Sequence, residues 1–394
     1  MTRVVLADRH AKPAWAGHPN VYDGAIDRIE GTPATGDEVD VVDQKQRYVG
    51  RGVWHATSPV RIRIYRADER PLDAAFVRSR IADAVALRTV VLRLPDRTEG
   101  YRIVHGDGDR FPGLVADRYG PWIVVQVTTF AAAQRRAEIA AALMAECGAS
   151  GVWERASTSF AQAEGFHPGG GKLAGETAPE TVAFREDGVE WKADVRGGPK
   201  TGHFLDQRDN RAAFAALCRR RRVLDVFSGT GGFGLAALSK GAASALAVDA
   251  SKSSIERLTE NAAANGFSAA VQTHAGDAFE KMRALVGENA RFDAVSVDPP
   301  RFASSRRELD GAIRGYHELN LKAMQVLVPG GILATSSCTG VLPDEEFERI
   351  VRDAAVDARR RVQVLRRGGQ GPDHPWLTAV PEGRYLKHLL ARVL

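Results

Sequence analysis

Four groups of residues have types and spacings that suit chemistry. The first is the run Val223-Leu224-Asp225-Val226-Phe227-Ser228-Gly229-Thr230-Gly231-Gly232-Phe233-Gly234, an apolar strand that turns on glycines into a helix. Glycines remove Cβ atoms, so the turn is tight and its backbone can touch a ligand. A nucleotide-like cofactor is held this way at the mouth of a parallel sheet. The second is Asp249, which ends the apolar run Ala245-Leu246-Ala247-Val248, where such folds place the carboxylate that grips a ribose. The third is Asp298-Pro299-Pro300, after the apolar stretch 292–297. The fourth is Cys338, where Ile332-Leu333-Ala334 gives way to small polar residues and then Gly340.

Gly229, Gly231 and Gly234 satisfy the dinucleotide pattern G-x-G-x-x-G, so a nicotinamide enzyme is one reading. Asp225 before the loop makes D-x-x-x-G-x-G, the form familiar from S-adenosylmethionine (SAM) enzymes, where the acid can meet the cationic amino end of the cofactor. A carboxylate with a rigid Pro-Pro at a strand end also suits a base-handling methyltransferase better than a dehydrogenase.

Cys338 and Asp298 would each end a strand, where open α/β sheets bind ligands. A thiol and a carboxylate converging beside a methyl donor fit one difficult reaction. Cytosine C5 is a poor nucleophile. Thiolate addition to C6 turns the ring into an enamine, and a carboxyl group at N3 supports the charge change. The plainer reading of Cys338 is a small buried hydrophobe. Methyltransferases acting on exocyclic amines usually carry an aromatic residue directly after Pro-Pro. Here Arg301 follows and Phe302 comes one later, either stacking on a flipped base or packing beneath the loop. A guanine-nitrogen methyltransferase, needing no thiol, and a non-catalytic ribosome-assembly protein stay open beside the C5 enzyme.

These residues need elements to position them. From about residue 189 strands alternate with helices, the sign of a doubly wound sheet. Strands are expected at 222–227, 244–249, 270–274, 292–298 and 331–337, and helices at 208–218, 233–239, 252–265, 305–327 and 344–357. Residues 69–188 read as α+β, with helices over 74–94 and 131–147. Residues 1–68 read as short strands. There Arg61-Ile62-Arg63-Ile64-Tyr65-Arg66 alternates strictly, which puts the arginines on one face. That face is either solvated or tracks a phosphate backbone.

With 394 residues, 44% hydrophobic and 26% charged, the chain is globular and has two or three domains. No apolar run approaches the ~20 residues of a membrane helix, and no signal peptide is visible. The three cysteines share no metal-ligand spacing and fit a reducing cytoplasm. A net charge of +5 permits a nucleic-acid partner.

Further stretches carry a family resemblance: Lys200 to Arg211, Phe227 to Phe233, Asp298 to Phe302, Arg314-Gly315-Tyr316, Ser337-Cys338, Asp373-His374-Pro375, Pro381 to Lys387 and, earlier, His18-Pro19, Gly24-Ala25-Ile26 and Phe111-Pro112-Gly113-Leu114. Through them nearly the whole sequence resembles the large-subunit (23S) ribosomal RNA methyltransferase I family, SAM-dependent enzymes that methylate C5 of a cytidine. The resemblance implies a PUA-type RNA-binding β-barrel over 1–68, a middle α+β domain over 69–188 and a Rossmann-like methyltransferase domain over 189–394, an α/β fold overall. With the glycine loop it implies cofactor contacts from Phe204, Asp206, Gln207, Asp225, Phe227, Ser228, Gly229, Gly231, Gly232, Asp249, Ser251, Asp277, Ala278, Asp298 and Pro299, Asp277 holding the adenine amine. Cys338 is the implied nucleophile with Asp298 beside it. Pro300, Arg301, Phe302, Arg61 and Arg63 are the substrate-binding candidates. The expected partner is 23S rRNA or its precursor, with no metal, no membrane and homodimerisation left open. Family members often have Lys where Arg301 stands, which keeps the charge but changes its geometry.

Overall fold

The computed structural model describes the backbone of residues 1–394 and every side chain except that of Arg9. The chain falls into two compact units, one of residues 1–184, 193–203 and 372–383, the other of 185–192, 204–371 and 384–394. The segments set apart in sequence as 1–68 and 69–188 thus fold largely into one unit.

The first unit begins with a six-stranded sheet in the order Asn20–Tyr22, Val60–Arg66, Tyr48–Trp54, Glu38–Val42, Thr2–Leu6 and Ile26–Glu30. Alternation buries Val4, Leu6, Val39, Val41, Trp54 and Ile62 in a common core. The opposite face of Val60–Arg66 is where the structure corrects an expectation. Arg63 is not free for phosphate: its two terminal nitrogens meet the two carboxylate oxygens of Glu164 at 3.1 and 2.7 Å. Glu164 ends the helix Thr158–Glu164, which covers that side. Arg61 donates to Asp23 at 2.7 Å and lies over the Trp54 ring. Arg66 donates to Asp68 at 2.7 Å, and Arg51 to Asp40 at 2.9 and 3.0 Å. Guanidinium and carboxylate forks match in geometry, and a charge taken from water needs such a partner.

The same unit holds a five-stranded sheet in the order Gly171–Gly175, Gly151–Arg155, Trp122–Val127, Leu114–Tyr119 and Gly100–His105. The helix expected over 74–94 stops at Ala86 and passes into a π-helical turn, Leu87–Val91. That turn carries the wholly buried Arg88, which donates to Arg102 O and Asp109. The helix expected over 131–147 is two, Phe130–Ala133 and Arg136–Cys147.

The second unit is a doubly wound sheet. Its strands are β1 (Arg222–Val226), β2 (Ser244–Asp249), β3 (Val271–Ala275), β4 (Phe292–Val297), β5 (Leu327–Ser337), β6 (Val362–Gly368) and β7 (Lys387–Val393). Its helices are α1 (Arg208–Ala215), α2 (Gly232–Ser239), α3 (Lys252–Ala264), α4 (Ala278–Gly287), α5 (Leu309–Val326) and α6 (Asp344–Asp357). The spatial order is β3-β2-β1-β4-β5-β7-β6. β3 to β5 run parallel, and β7 enters antiparallel between β5 and β6. Leu224, Val226, Val295, Val297 and Leu333 pack there against Tyr316, Leu319 and Met324 of α5 and Phe347 and Ile350 of α6. No helix of the described residues is long and apolar enough to cross a membrane.

Candidate active site

The glycine loop leaves β1 at Phe227, whose φ of +62° is unusual for a bulky residue. Such a conformation costs roughly 1–3 kcal/mol and persists only where its surroundings hold it. Here the Phe227 ring meets Phe279 and Phe302, with centroids 6.4 and 6.5 Å away. Gly229 and Gly231 follow with φ of +52° and +101°. A Cβ built on Gly229 would meet only Phe204, at 3.8 Å, so the space before the loop is open. One on Gly231 would lie 2.7 Å from Leu235 of α2, so that residue must be glycine. Ser228 Oγ is buried with no partner among the described residues. An open glycine cradle with an orphaned hydroxyl fits a ligand whose backbone-facing atoms would satisfy both.

Three carboxylates surround this loop in different states. Asp225 is buried, accepting Gly234 N at 2.7 Å and Ser296 Oγ at 2.6 Å. Burial pushes its carboxyl up to about 6. Asp225 therefore ties α2 to β1 and β4 from below, which corrects the expectation that it reaches a cofactor's amino group. Asp249 is half-buried, its oxygens accepting Gly229 N at 2.8 Å and Ser251 N at 2.9 Å. Each oxygen keeps a lone pair for a ribose hydroxyl. Asp277 is exposed and caps α4 by accepting Glu280 N at 2.9 Å, with buried Ala278 behind it.

Asp298 stands just past β4, and its backbone N–H donates to Val226 O at 3.3 Å. Its carboxylate accepts the Gln207 amide at 2.8 Å. The same Gln207 nitrogen reaches Ser336 Oγ at 3.2 Å, and Asn210 donates to Gln207 Oε1 at 2.7 Å. Ser336 Oγ lies 2.9 Å from His388 Nδ1. Full burial holds the His388 ring neutral, its pKa lowered to about 3, and the ring stacks on Phe233. The amide bonds therefore run one way, from Asn210 to Gln207 to Asp298, and Ser336 shares a hydrogen bond with the neutral His388 ring. Asp206 is also buried and accepts the Tyr385 hydroxyl at 2.7 Å.

Cys338 follows β5 as Asp298 follows β4, and the two strands are paired with Val297 opposite Thr335. Its Sγ lies 3.9 Å from Pro299 O. Thiol and carboxylate are thus brought to one end of the sheet. Thr339, next in chain, accepts the Phe302 N–H at 3.3 Å and meets the Tyr316 hydroxyl at 2.8 Å. Buried Lys387 donates to Thr339 O at 2.8 Å, and burial pulls its pKa below the usual lysine range. Phe302 packs on Tyr316 and Phe279, with centroids 4.7 and 6.1 Å away. Phe302 is partly buried in this packing. Pro300 and Arg301 are exposed beside the thiol.

Sequence reasoning missed Asn210, Ser336, Lys387 and His388. Asn210 and Lys387 lay inside stretches that carried the resemblance. His388 had no local signal, because its meaning comes from a strand pairing with residues 50 positions away.

A PUA-like domain model matches residues 4–67, and the model named conserved hypothetical protein 95 matches 210–328. The ribosomal RNA large subunit methyltransferase I of Tolumonas auensis is 38% identical over 100% of both chains. The chain belongs to the ribosomal RNA large subunit methyltransferase I family. The member from Shewanella denitrificans is 40% identical over 95% of each chain. A SAM-dependent methyltransferase structure from Streptococcus mutans superposes with a TM-score of 0.84 at 20% identity, covering both chains fully. A methyltransferase structure complexed with SAH reaches 0.85 with the same identity and coverage. At that identity the two establish the fold: a PUA-like domain followed by a methyltransferase domain of the SAM-dependent type.

Proposed function

We propose that this protein methylates C5 of a cytidine in large-subunit ribosomal RNA, with S-adenosylmethionine as donor and Cys338 as a transient covalent nucleophile. When bound, the cofactor supplies an electrophilic methyl group. The glycine loop at 229–231 would hold its amino-acid end, Asp249 its ribose and Asp277 its adenine, with Phe204 as a wall.

One observation carries the C5 reading: Cys338 and Asp298 end neighbouring parallel strands, the thiol 3.9 Å from the carbonyl next to that carboxylate. In the proposed chemistry the Cys338 thiolate adds to C6, and the ring's electron pair moves toward N3. Asp298, as the carboxylic acid, gives its proton to N3 as that charge builds and takes it back when the thiolate leaves. C5 becomes nucleophilic. After transfer a base takes the C5 proton, the C5–C6 double bond re-forms and the thiolate leaves. The relatives' names support ribosomal RNA as substrate and hence action in the cytoplasm.

The test is a trap. RNA carrying 5-fluorocytidine cannot lose fluorine as it loses the C5 proton, so wild type should form a denaturation-resistant adduct and Cys338→Ala none. Near-normal turnover by Cys338→Ala would refute the mechanism and leave nitrogen methylation.

A further inference from the structure

We propose that Arg301, Arg306, Arg307 and Arg314 form a preformed lip that grips the phosphate backbone of the RNA beside Cys338. The proposal rests on the reading of RNA as substrate and adds where the RNA backbone is held. All four side chains are exposed, and no carboxylate pairs with them among the described residues.

The segment is anchored to the site at both ends. Phe302, next to Arg301, is bonded through its N–H to Thr339, the neighbour of Cys338. Gly315, next to Arg314, packs against the Phe302 ring, which a Cβ there would meet at 3.3 Å. Between them the backbone is tied down. Ala303 is buried, and Ser305 and Glu308 form a capping box, the Glu308 carboxylate accepting Ser304 N at 2.6 Å and Ser305 N at 3.2 Å. That carboxylate is thus occupied by backbone, and exposed Asp310 is the one other acid between Arg301 and Arg314. A backbone tied down in this way leaves only the side chains to be ordered at binding.

The arginine clusters at 219–222, 359–361 and 366–367 do different work. Arg360 donates to five backbone oxygens, those of Met324, Leu327, Val328, Val393 and Leu394. Arg367 pairs with Glu348, and Arg221 donates to Asp293 O. Arg219 and Arg220 are exposed but precede β1, at the end of the sheet away from Cys338. Arg366, exposed on β6, donates to Asp209 O. The segment that follows Pro300 thus carries four exposed arginines without a carboxylate partner, and phosphate is the ligand chemistry that exposed arginine forks fit.

The test is the salt dependence of binding to an unmodified large-subunit rRNA transcript. Each phosphate contact contributes a slope of about 0.7–0.9 in log K against log salt. The variant Arg306→Gln/Arg307→Gln/Arg314→Gln should flatten the line by roughly two in slope, while the corresponding lysine variant keeps most of it. Thermal melting of both variants checks folding. Parallel lines for wild type and a folded glutamine variant would overturn the proposal. Binding is read without turnover, so a product methylated at nitrogen would defeat the C5 mechanism and leave this result standing. Wild type that bound no transcript at all would instead defeat the RNA reading.

Discussion

Gln207 holds Asp298 by a 2.8 Å bond from an amide that cannot turn over, because Asn210 donates to its oxygen at 2.7 Å. A flipped amide would present oxygen to a carboxylate on one side and two N–H groups to another on the other. The bond thus fixes the direction of the Asp298 carboxylate before substrate arrives. Gln207→Glu would set two acids against each other and displace Asp298. We expect kcat to fall about 100-fold, the scale for an ångström of misplacement, with KM for RNA little changed. Steady-state kinetics at pH 8 checks it, and wild-type kcat would show that Asp298 needs no such support.

Asp249 sits between the glycine loop and the start of α3 and accepts backbone bonds from both. Asp249→Ala should weaken SAM binding by about 1–3 kcal/mol, the scale for losing a bond to a charged group. Calorimetry on the folded variant decides this, and unchanged affinity would remove the ribose contact.

His388 predicts an acid limb in stability. Its folded pKa of about 3 lies far below the ordinary value of 6.5, so the unfolded chain binds more protons between those values. Its contribution is complete above pH 6.5 and declines as pH falls toward 3. His388→Asn keeps a hydrogen-bonding side chain for Ser336 but cannot titrate. Urea midpoints measured from pH 7 to 4 should fall less steeply for this variant, and equal slopes would mean that the ring is not buried neutral.

Arg63 and Glu164 make a nearly buried bidentate pair, with side chains 15% and 9% exposed. Arg63→Ala leaves Glu164 without its counter-charge and should cost about 3–5 kcal/mol of stability. Replacing both, by Met and Leu, should recover much of that. Chemical denaturation of the single and double variants checks the pair, and a loss under about 1 kcal/mol for Arg63→Ala would show a solvated ion pair instead.

β1, β2, β4 and β5 were readable because strands largely buried on both faces write themselves as nearly unbroken apolar runs, whereas β3 is a mostly exposed edge strand. Their ends placed Asp249, Asp298 and Cys338 without any knowledge of contacts. β7 was not readable: Lys387 and His388 are buried at its start, which no hydropathy rule assigns to an inner strand. β6 is mostly exposed and carries Arg366 and Arg367, so it too lacks an apolar signal.

The sequence by itself determined the glycine turn, the alternation of strands and helices from α1 to α6 apart from α4, the residues at strand ends and the family. All of these are written in residues a few positions apart, where propensity and periodicity operate. Only the tertiary structure decided which charges are engaged. Arg63 and Glu164 lie 101 positions apart, Gln207 and Asp298 lie 91 apart, and Ser336 and His388 lie 52 apart. An alternating strand states that arginines share a face, and it is silent on what covers that face. Whether a side chain is a free cation, a buried tie or a neutral ring depends on the partner that folding brings to it and on the water that folding removes.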